Sequence, residues 1–525
     1  MTTPSLPPKE VLDEDSFLLK EVTNAYTEEG STTVDSAPVR RPLEANDNSF
    51  TVSDALSAIG IGPQQVVLCV AAAFSGIAVY AQVILITTIA DLLRCELELT
   101  ENQMAFVTSV FFLGEMLGSY PTGRLVDIYG RKPSALILTI GLWYTGILTA
   151  FAPNFAWAIL LRFMSGVFAV GMINVYSVYV GEMTPSKIRM VSLLLFPLFF
   201  GLGTVYIASM GLIVVPELGW RWQAIMATIP AIITAILTLS VPESARYLVL
   251  IGELKMAWKL LRRLADRNKT TIPDGDLVQA QPSEVEGNAT VLSLLGKDTW
   301  QQTLSLWAVW FTSYFVYIGM ALSTNYILNI QQVIIPKDVN GTGIINPDDI
   351  PPPKPKELVI LPFYDECNPP PNCSLFFNGE GDIKFLIASV GDLAAIPIVF
   401  AILIVLGHRW TVGVCMALTS ITCAFIIGLM RMADMTALIF VVRALSFGIY
   451  GSLFLITIEA YSTYNRSIAM ATGQFLAKAA GTLAPLVADI VFPLSPEGAI
   501  SIYFVVATIS AISAYFIPIT GQHYM

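Results

Sequence analysis

The sequence predicts an all-α polytopic membrane protein with twelve transmembrane helices arranged as two related six-helix bundles. Three observations predict this fold class. Of the 525 residues, 54% are hydrophobic and only 13% are charged, which is too little charge to cover a water-soluble protein of this length. Apolar stretches recur, each near the roughly 20 residues that cross the hydrocarbon core of a bilayer. A pattern of glycines and charged residues also repeats between the two halves of the chain.

The apolar stretches fall into two sets of six, separated by a polar loop. This spacing predicts a polar N-terminal tail over 1–62, a first bundle over 63–242, a central loop over 243–302, a second bundle over 303–519 and a short C-terminal tail over 520–525. The individual spans are predicted near 64–89, 103–122, 134–152, 155–178, 190–213 and 222–241, then 303–328, 384–406, 411–430, 436–458, 468–490 and 499–519.

The central loop contains one segment with helical periodicity. Glu253–Arg267 has apolar residues at helical spacing and a basic opposite face. The pattern predicts an amphipathic helix. Either the helix lies on the membrane surface, or it is an ordinary solvated helix.

Basic residues predict the orientation in the membrane. They concentrate in the central loop and in the loops after spans 2, 4, 8 and 10, whereas the opposite short loops hold few. The positive-inside rule then places both termini in the cytosol. We expect a multi-pass protein of the plasma membrane or of an intracellular vesicle.

The loop over 331–383 falls on the extracytosolic side in this topology. Cys367 and Cys373 flank a proline-rich turn there, so a small disulfide loop is predicted in the oxidising space. Asn340 and Asn372 each begin a glycosylation sequon on the same side.

The repeat indicates a duplicated bundle. Glu182 and Arg189 follow span 4, and Glu459 and Arg466 follow span 10 with the same spacing, so one constant offset along the chain relates the two pairs. Gly130 and Gly407 keep that offset, and Arg162 and Arg443 keep it to within one helical turn. Parallel six-helix repeats are typical of two-lobed membrane proteins with a binding site between the lobes near the bilayer midplane.

The loop between spans 2 and 3 carries the strongest motif, which runs from Gly123 to Lys132 and reads GRLVDIYGRK. Glycine permits a tight turn between two membrane helices. Asp127 can cap a helix end or pair with Arg131 or with a basic residue of the other bundle. We interpret the loop as a latch between the bundles. The alternative is a tight loop whose charges only set the topology. The predicted latch residues are Gly123, Asp127, Gly130, Arg131, Lys132, Glu182, Arg189, Glu459 and Arg466.

These motifs resemble the major facilitator superfamily. GRLVDIYGRK is similar to its signature loop, and Arg162-Phe-Met-Ser-Gly166 is similar to its fourth-helix motif. The segments Leu218–Trp222, Pro242–Tyr247 and Glu459–Arg466 resemble the branch that holds organic ion transporters and the synaptic vesicle glycoprotein 2 and related proteins. The short loop after span 1 and the long loop after span 7 favour the vesicle side of that branch.

Two departures from the family pattern bear on proton coupling. Related vesicle proteins carry acidic residues in the first helix, but residues 79–82 hold none. The signature loop of the second half is reduced to Gly407-His408-Arg409 without an acidic partner. Both features argue against coupling by the family's usual route.

Ionisable residues at membrane depth are costly and therefore candidates for function. Glu115 and Lys478 lie at similar depths, and their spans are neighbours in the resembling fold, so we predict that they pair in one state of a transport cycle. A static buried pair and an anion-binding role for Lys478 are the alternatives. Arg162 could instead reach water by snorkelling, and Asp392 could be solvated near the outer surface.

Aromatic and amide side chains could line the cavity between the bundles. Each of them has ordinary packing as its alternative. The candidates are Tyr80, Gln82, Asn174, Tyr314, Tyr317, Asn325 and Tyr326.

Two functions compete at this point. The first is a secondary transporter of a small organic solute, an organic ion, working by alternating access with a coupling ion such as a proton. The second is a binding or regulatory protein that has kept the fold and lost transport. We expect a monomer in the lipid bilayer with no cofactor, no metal, no catalytic site and, at a net charge of -11, no nucleic acid partner.

Overall fold

A computed structural model describes residues 49–185, 188, 196–278, 291–296, 299–334, 379–430, 434–461 and 463–517. Within these residues the chain is almost entirely helical. The one sheet pairs two short parallel strands, β1 (Ser49–Phe50) and β2 (Asp276–Leu277).

The first bundle begins after a short helix, α1 (Val52–Ile59). Its long apolar helices alternate in direction and bury their small and branched residues against one another. They are α2 (Pro63–Glu96), α3 (Glu101–Tyr129), α4 (Arg131–Ala150), α5 (Phe155–Met183), α6 (Phe196–Leu218) and the paired segments α7 (Trp220–Met226) and α8 (Ile229–Leu239).

The central loop contributes three short helices before the second bundle begins. These are α9 (Ala245–Leu250), α10 (Leu254–Asn268) and α11 (Val291–Leu294). The second bundle consists of α12 (Trp300–Ile334), α13 (Gly379–Leu429), α14 (Thr436–Ala460), α15 (Thr463–Leu486), a π-helical turn (Val487–Val491), α16 (Phe492–Leu494), α17 (Pro496–Ser513) and a final 3₁₀ turn (Ala514–Phe516).

The helices agree with the predicted twelve spans. Ten helical segments of the described residues are long and apolar enough to cross a bilayer. One of them, α13, covers two spans, because the chain turns at Gly407 (φ 73°, ψ 173°). The charged helix α3 packs between α5 and α15, and its 29 residues are consistent with the remaining span.

The same backbone turn occurs in both halves. Gly130 joins α3 to α4 with φ 90° and ψ 177°, and Gly407 has nearly the same angles. Positive φ strains any residue with a Cβ, so both positions favour glycine. The predicted repeat therefore extends to backbone conformation. We call the end of the bundles that carries these two turns the motif end, and the other end the distal end.

The segment of the central loop that is predicted to be an amphipathic helix forms α10. In α10 the buried residues are Ala257, Leu260, Leu261, Leu264 and Ala265. They are covered by protein, because α10 packs against α9 and α1. These residues of the apolar stripe are therefore used in folding, whereas Leu254 and Trp258 of the same helix stay exposed.

Helix α1 lies within the predicted polar tail, where no helix was expected. Thr51 and Asp54 form a capping box at its start, and the hydrogen bonds from Thr51 lower the pKa of the Asp54 carboxyl. Val52, Leu56 and Ile59 are buried. A capping box followed by apolar residues at helical spacing is a sequence pattern that predicts the start of a helix.

Two glycines bring α3 and α5 into backbone contact. A Cβ added to Gly166 would lie 2.0 Å from the carbonyl oxygen of Phe111, and one added to Gly114 would lie 2.2 Å from that of Phe163. Small residues permit such close approach of membrane helices. This contact fixes the helix that carries Glu115 against the helix that carries Arg162.

Replacing Gly166 with alanine should destabilise the first bundle. The new methyl group would overlap backbone that cannot rotate away, and overpacking costs about 1–3 kcal/mol. Gly181→Ala is the matched control, because a Cβ at Gly181 of the same helix meets nothing within 4 Å. The thermal midpoint of purified protein should fall for Gly166→Ala and stay unchanged for Gly181→Ala. Equal midpoints would show that the contact is not tight.

Several predicted features lie outside the described residues. They are the disulfide of Cys367 and Cys373, the sequons at Asn340 and Asn372, and the latch residue Arg189. Among the described cysteines, Cys415 and Cys423 are buried free thiols. Cys95, near the distal end of α2, is disulfide-bonded.

Candidate functional site between the two bundles

A cavity of about 930 Å³ lies between the bundles. It runs from Asp127 and Arg124 at the motif end to Lys478 in the interior. Helices α3 and α5 of the first bundle and α12 and α15 of the second line it. The lining is mostly apolar, with polar side chains at Ser119, Asn174, Ser177, Trp307, Thr472 and Gln474. Size and lining are those of a site for a small organic molecule.

At its inner end, the cavity reaches a buried ion pair that joins the two bundles. Nζ of Lys478 on α15 lies 3.0 Å from Oε2 of Glu115 on α3, and the side chains are 4% and 0% exposed. The predicted contact is therefore present. Lys478 also lies 3.4 Å from the hydroxyl of Tyr314 and over the ring of that residue, 4.9 Å from its centroid.

Arg162 lies beside this pair but binds other groups. Its two terminal nitrogens donate to the carbonyl oxygen of Gln82, both at 3.1 Å, and its guanidinium lies 4.5 Å from the ring centroid of Phe111. Its Nε has no hydrogen-bond acceptor among the described residues, and the residue is 1% exposed. The snorkelling alternative is wrong, since Arg162 is held in the interior by a backbone carbonyl.

Asp392 belongs to a second buried ion pair inside the second bundle. Arg443 donates to it from Nη2 at 2.5 Å and from Nε at 3.1 Å. The hydroxyl of Tyr317 donates to the same carboxylate at 3.1 Å. Both charged side chains are 0% exposed, so the solvated interpretation of Asp392 is wrong. The repeat relates Arg443 to Arg162, but the pairing of Arg443 with Asp392 was not predicted.

The two charge centres are related by the internal repeat. Asp392 follows Glu115 at the same offset along the chain that joins Glu182 to Glu459. Arg443 corresponds to Arg162 one helical turn away. In the second bundle the carboxylate and the arginine pair directly. In the first bundle the equivalent carboxylate pairs with Lys478 of the other bundle, and the arginine is held by a carbonyl.

Aromatic rings surround both centres. The predicted residues Tyr80, Tyr314 and Tyr317 are all buried here. Tyr80 stacks on Phe200 at 4.4 Å between centroids, Tyr314 packs on Tyr450 at 4.6 Å, and Tyr317 packs on Phe447 at 4.7 Å. Phe447 and Tyr450 on α14 were missed, because nothing in an apolar helix distinguishes a ring at an interface from a ring in a core.

The signature loop at the motif end forms a network within the first bundle. Arg131 pairs with Glu182 through Nη2 at 2.7 Å and Nε at 3.0 Å. Glu243 accepts from the backbone amides of Arg131 at 3.0 Å and of Lys132 at 3.2 Å. Burial raises the pKa of the Glu243 carboxyl, and these amides act in the opposite direction.

Asp127 lies outside that network. The carboxylate partner of Arg131 is Glu182, and Asp127 is exposed at the mouth of the cavity. Arg131 was one of the predicted partners of Asp127, and that prediction is wrong for this arrangement of the bundles. Gly123 and Lys132 also lie at the motif end, with the amine of Lys132 donating to the carbonyl of Leu239 at 3.1 Å.

The second half has an equivalent pair. His408 is the counterpart of Arg131 in the repeat, and its Nε2 is 3.0 Å from Oε2 of Glu459. The loop Gly407-His408-Arg409 was expected to lack an acidic partner, but the fold supplies one from the end of α14. Arg466 donates to the carbonyl of Tyr461 at 3.5 Å and so closes the adjacent turn.

The bundles meet at the distal end. Nδ2 of Asn325 on α12 donates to the carbonyl of Thr87 on α2 at 2.6 Å. Tyr326 stacks on Phe492 with centroids 5.8 Å apart. Asn325 therefore lies in a contact between the bundles, Tyr326 packs beside it within the second bundle, and neither lines the main cavity, where Asn174 lies.

Two related bundles with an interior cavity that ends at buried charges, open at one end and closed at the other, define a membrane transporter of the major facilitator fold. The chain belongs to the sugar (and other) transporter family, whose model matches residues 53–345.

Relatives and solved structures agree with this assignment. The chain is 28% identical to the putative transporter SVOPL of Mus musculus over 91% of this chain and 93% of that protein. It is 29% identical to the synaptic vesicle 2-related protein of Xenopus laevis over 90% and 81%. The partially occluded inward-open structure of the xylose transporter XylE from E. coli aligns with a TM-score of 0.59 at 14% identity, covering 87% of this chain and 100% of that one.

Proposed function

We propose that this protein is a secondary transporter that carries a small organic ion across a membrane by alternating access. The observation that carries the proposal is the ion pair between Glu115 and Lys478, which joins the two bundles at the inner end of the cavity. A charged pair at membrane depth is costly, and such residues mark solute or ion pathways. Motion of one bundle against the other would break this contact and expose both charges to a solute.

The charges favour an anionic group on the solute. A carboxylate or similar group that enters from the motif end reaches Lys478 through a passage lined by amides and hydroxyls. There it would compete with Glu115 for the ammonium group. The apolar lining from Met116, Val170, Met470 and Phe475 suits the organic part of such a molecule.

The repeat indicates a second partner for Glu115. With that partner, Glu115 could separate from Lys478 without becoming an isolated buried charge. Its counterpart Asp392 pairs with an arginine of its own bundle, and Arg162 occupies the equivalent place beside Glu115. We infer that Glu115 exchanges Lys478 for Arg162 when the bundles rock. In that arrangement the first bundle would resemble the second, and Lys478 would be free for the solute.

The positions of the basic residues support a cytosolic motif end with both termini on the same side. The relatives named for synaptic vesicles support an intracellular vesicle as the membrane, with the plasma membrane as the alternative. A coupling ion would be taken up in the same cycle.

Uptake of labelled organic anions into proteoliposomes tests the proposal. The wild type should accumulate at least one anion, and Lys478→Met should lose about tenfold or more of that uptake, since one charge-assisted contact is worth about 1.5–3 kcal/mol. Lys259→Met on the exposed face of α10 is the matched control and should transport normally. Absence of uptake across a broad panel of anions, cations and neutral solutes would favour the regulatory alternative.

A further inference from the structure

A second, smaller cavity lies at the distal end between the bundles. Its volume is about 20 Å³, which is room for about one water-sized occupant. Thr87, Asp91 and Thr108 line it from the first bundle, and Asn325, Tyr326 and Asp489 line it from the second. The main cavity and its ion pair do not share any of these residues.

Two residues that line this cavity each have a buried polar atom with no partner among the described residues. Oδ2 of Asp489 and Oγ1 of Thr87 form no hydrogen bond there, although these residues are only 6% and 4% exposed. Burying a carboxylate oxygen without a partner costs free energy of folding. A bound ligand that pairs with this oxygen would remove that cost.

The backbone around Asp489 departs from a regular α-helix. Asp489 lies in the π-helical turn Val487–Val491, which follows Pro485 near the end of α15. Proline removes a helical hydrogen bond, and π turns occur often at functional sites. The turn directs Asp489 at the first bundle, where the hydroxyl of Thr108 faces its carboxylate.

The charges around the cavity do not balance. Asp91 and Asp489 line the cavity from opposite bundles, and Asp91 and Glu101 both act electrostatically on Asp489. The one cation that acts on this group among the described residues is Arg94, which pairs with Glu101 at 3.4 Å. Within the described part of the chain no cluster of three or more metal-binding side chains occurs, so a multivalent metal site is not favoured. Carboxylate and hydroxyl oxygens suit a single hard cation.

We propose that Asp91, Asp489 and Thr87 form a binding site for one monovalent cation, either a proton or Na⁺. Its ligands come from both bundles, so the site is complete only while the distal end is closed. Under the proposed alternating access, the cation therefore stabilises the arrangement open at the motif end. It would leave when the distal end opens and Asp91 separates from Asp489.

Thermal unfolding of the purified full-length protein tests the site without any transported solute. In the first arm, NaCl replaces choline chloride at constant ionic strength and fixed pH. In the second arm, pH is varied between 5 and 8 without Na⁺. A cation that binds only the folded protein raises the midpoint in proportion to the logarithm of its concentration. A shift in the first arm identifies Na⁺, and a shift in the second arm alone identifies a proton.

The Asp489→Asn variant should abolish the shift or weaken the apparent affinity at least tenfold. Asp91→Asn, at the more exposed lip of the cavity, gives a second test if Asp489→Asn folds poorly. Glu217→Gln is the matched control, because Glu217 is an exposed carboxylate at the same end. No cation or pH dependence in the wild type, or the same dependence in both aspartate variants, would overturn the site. Transport failure with an intact cation shift would overturn only the proposed function.

Discussion

Lys478→Met and Arg162→Met should shift the two bundles in opposite directions. Without Lys478, Glu115 loses its partner in the present arrangement, and Arg162 remains the nearest cation. The equilibrium should then move toward the arrangement closed at the motif end. Without Arg162, Glu115 keeps Lys478 but has no second partner. The equilibrium should then favour the present arrangement, which is open at the motif end.

The expected size of these shifts is large. Removing one partner of a buried ion pair costs about 3–5 kcal/mol, and about 1.4 kcal/mol is a factor of ten in an equilibrium constant. Even a fraction of the cost should change the ratio of the two arrangements tenfold or more.

Labelling of a cysteine in the cavity measures this shift. Ser177→Cys on α5 lines the cavity, and a hydrophilic thiol reagent should modify it about tenfold more slowly in Lys478→Met than in the wild type. Arg162→Met should label at least as fast as the wild type. Lys259→Met serves as the control for a lost lysine outside the bundles. Identical rates in the wild type, Lys478→Met and Arg162→Met would mean that Glu115 and Lys478 form a static pair.

Asp392→Ala should be the most destabilising single change within the second bundle. It leaves Arg443 buried with no carboxylate, and a guanidinium cannot lose its proton in a protein. We expect a loss of about 3–5 kcal/mol in the free energy of unfolding. Arg443→Met should cost less, because the isolated carboxyl group of Asp392 can take up a proton and become neutral.

The double variant Asp392→Asn/Arg443→Met gives the matched comparison. It removes both charges while keeping similar volumes, and it should be more stable than Asp392→Ala. Unfolding in detergent micelles with increasing sodium dodecyl sulfate measures the wild type and these three variants. If Asp392→Ala is as stable as the double variant, then Arg443 reaches water and the buried pair is not a structural element of the second bundle.

The spans and the repeat could be read from the sequence because bilayer physics leaves few alternatives. An apolar stretch of roughly 20 residues that crosses the hydrocarbon core must satisfy its backbone internally, which requires a helix. The depth of Glu115 and Lys478 along their helices then followed from the helical rise of about 1.5 Å per residue. These two arguments, together with the neighbouring positions of the two spans in the resembling fold, predicted the contact that the structure contains.

Other features depend on tertiary contacts that periodicity does not contain. The partner of His408 comes from the far end of α14 and could have been found only by carrying the pairing of Arg131 and Glu182 into the second half. Asp91 was missed because the first span was predicted to end at residue 89, whereas α2 continues to Glu96. The π-helical turn that holds Asp489 has no sequence pattern beyond the preceding Pro485.

Electron–electron distance measurements between spin labels at both ends of the bundles test the partner exchange of Glu115 most directly. Labels at Ile128 and Val405 report the motif end, and labels at Leu218 and Leu494 report the distal end; all four side chains are exposed. In the wild type both pairs should show two distances, and Lys478→Met should shorten the first pair while lengthening the second. Arg162→Met should do the reverse. One fixed distance at each end, unchanged by either substitution, would contradict the proposed exchange of partners by Glu115.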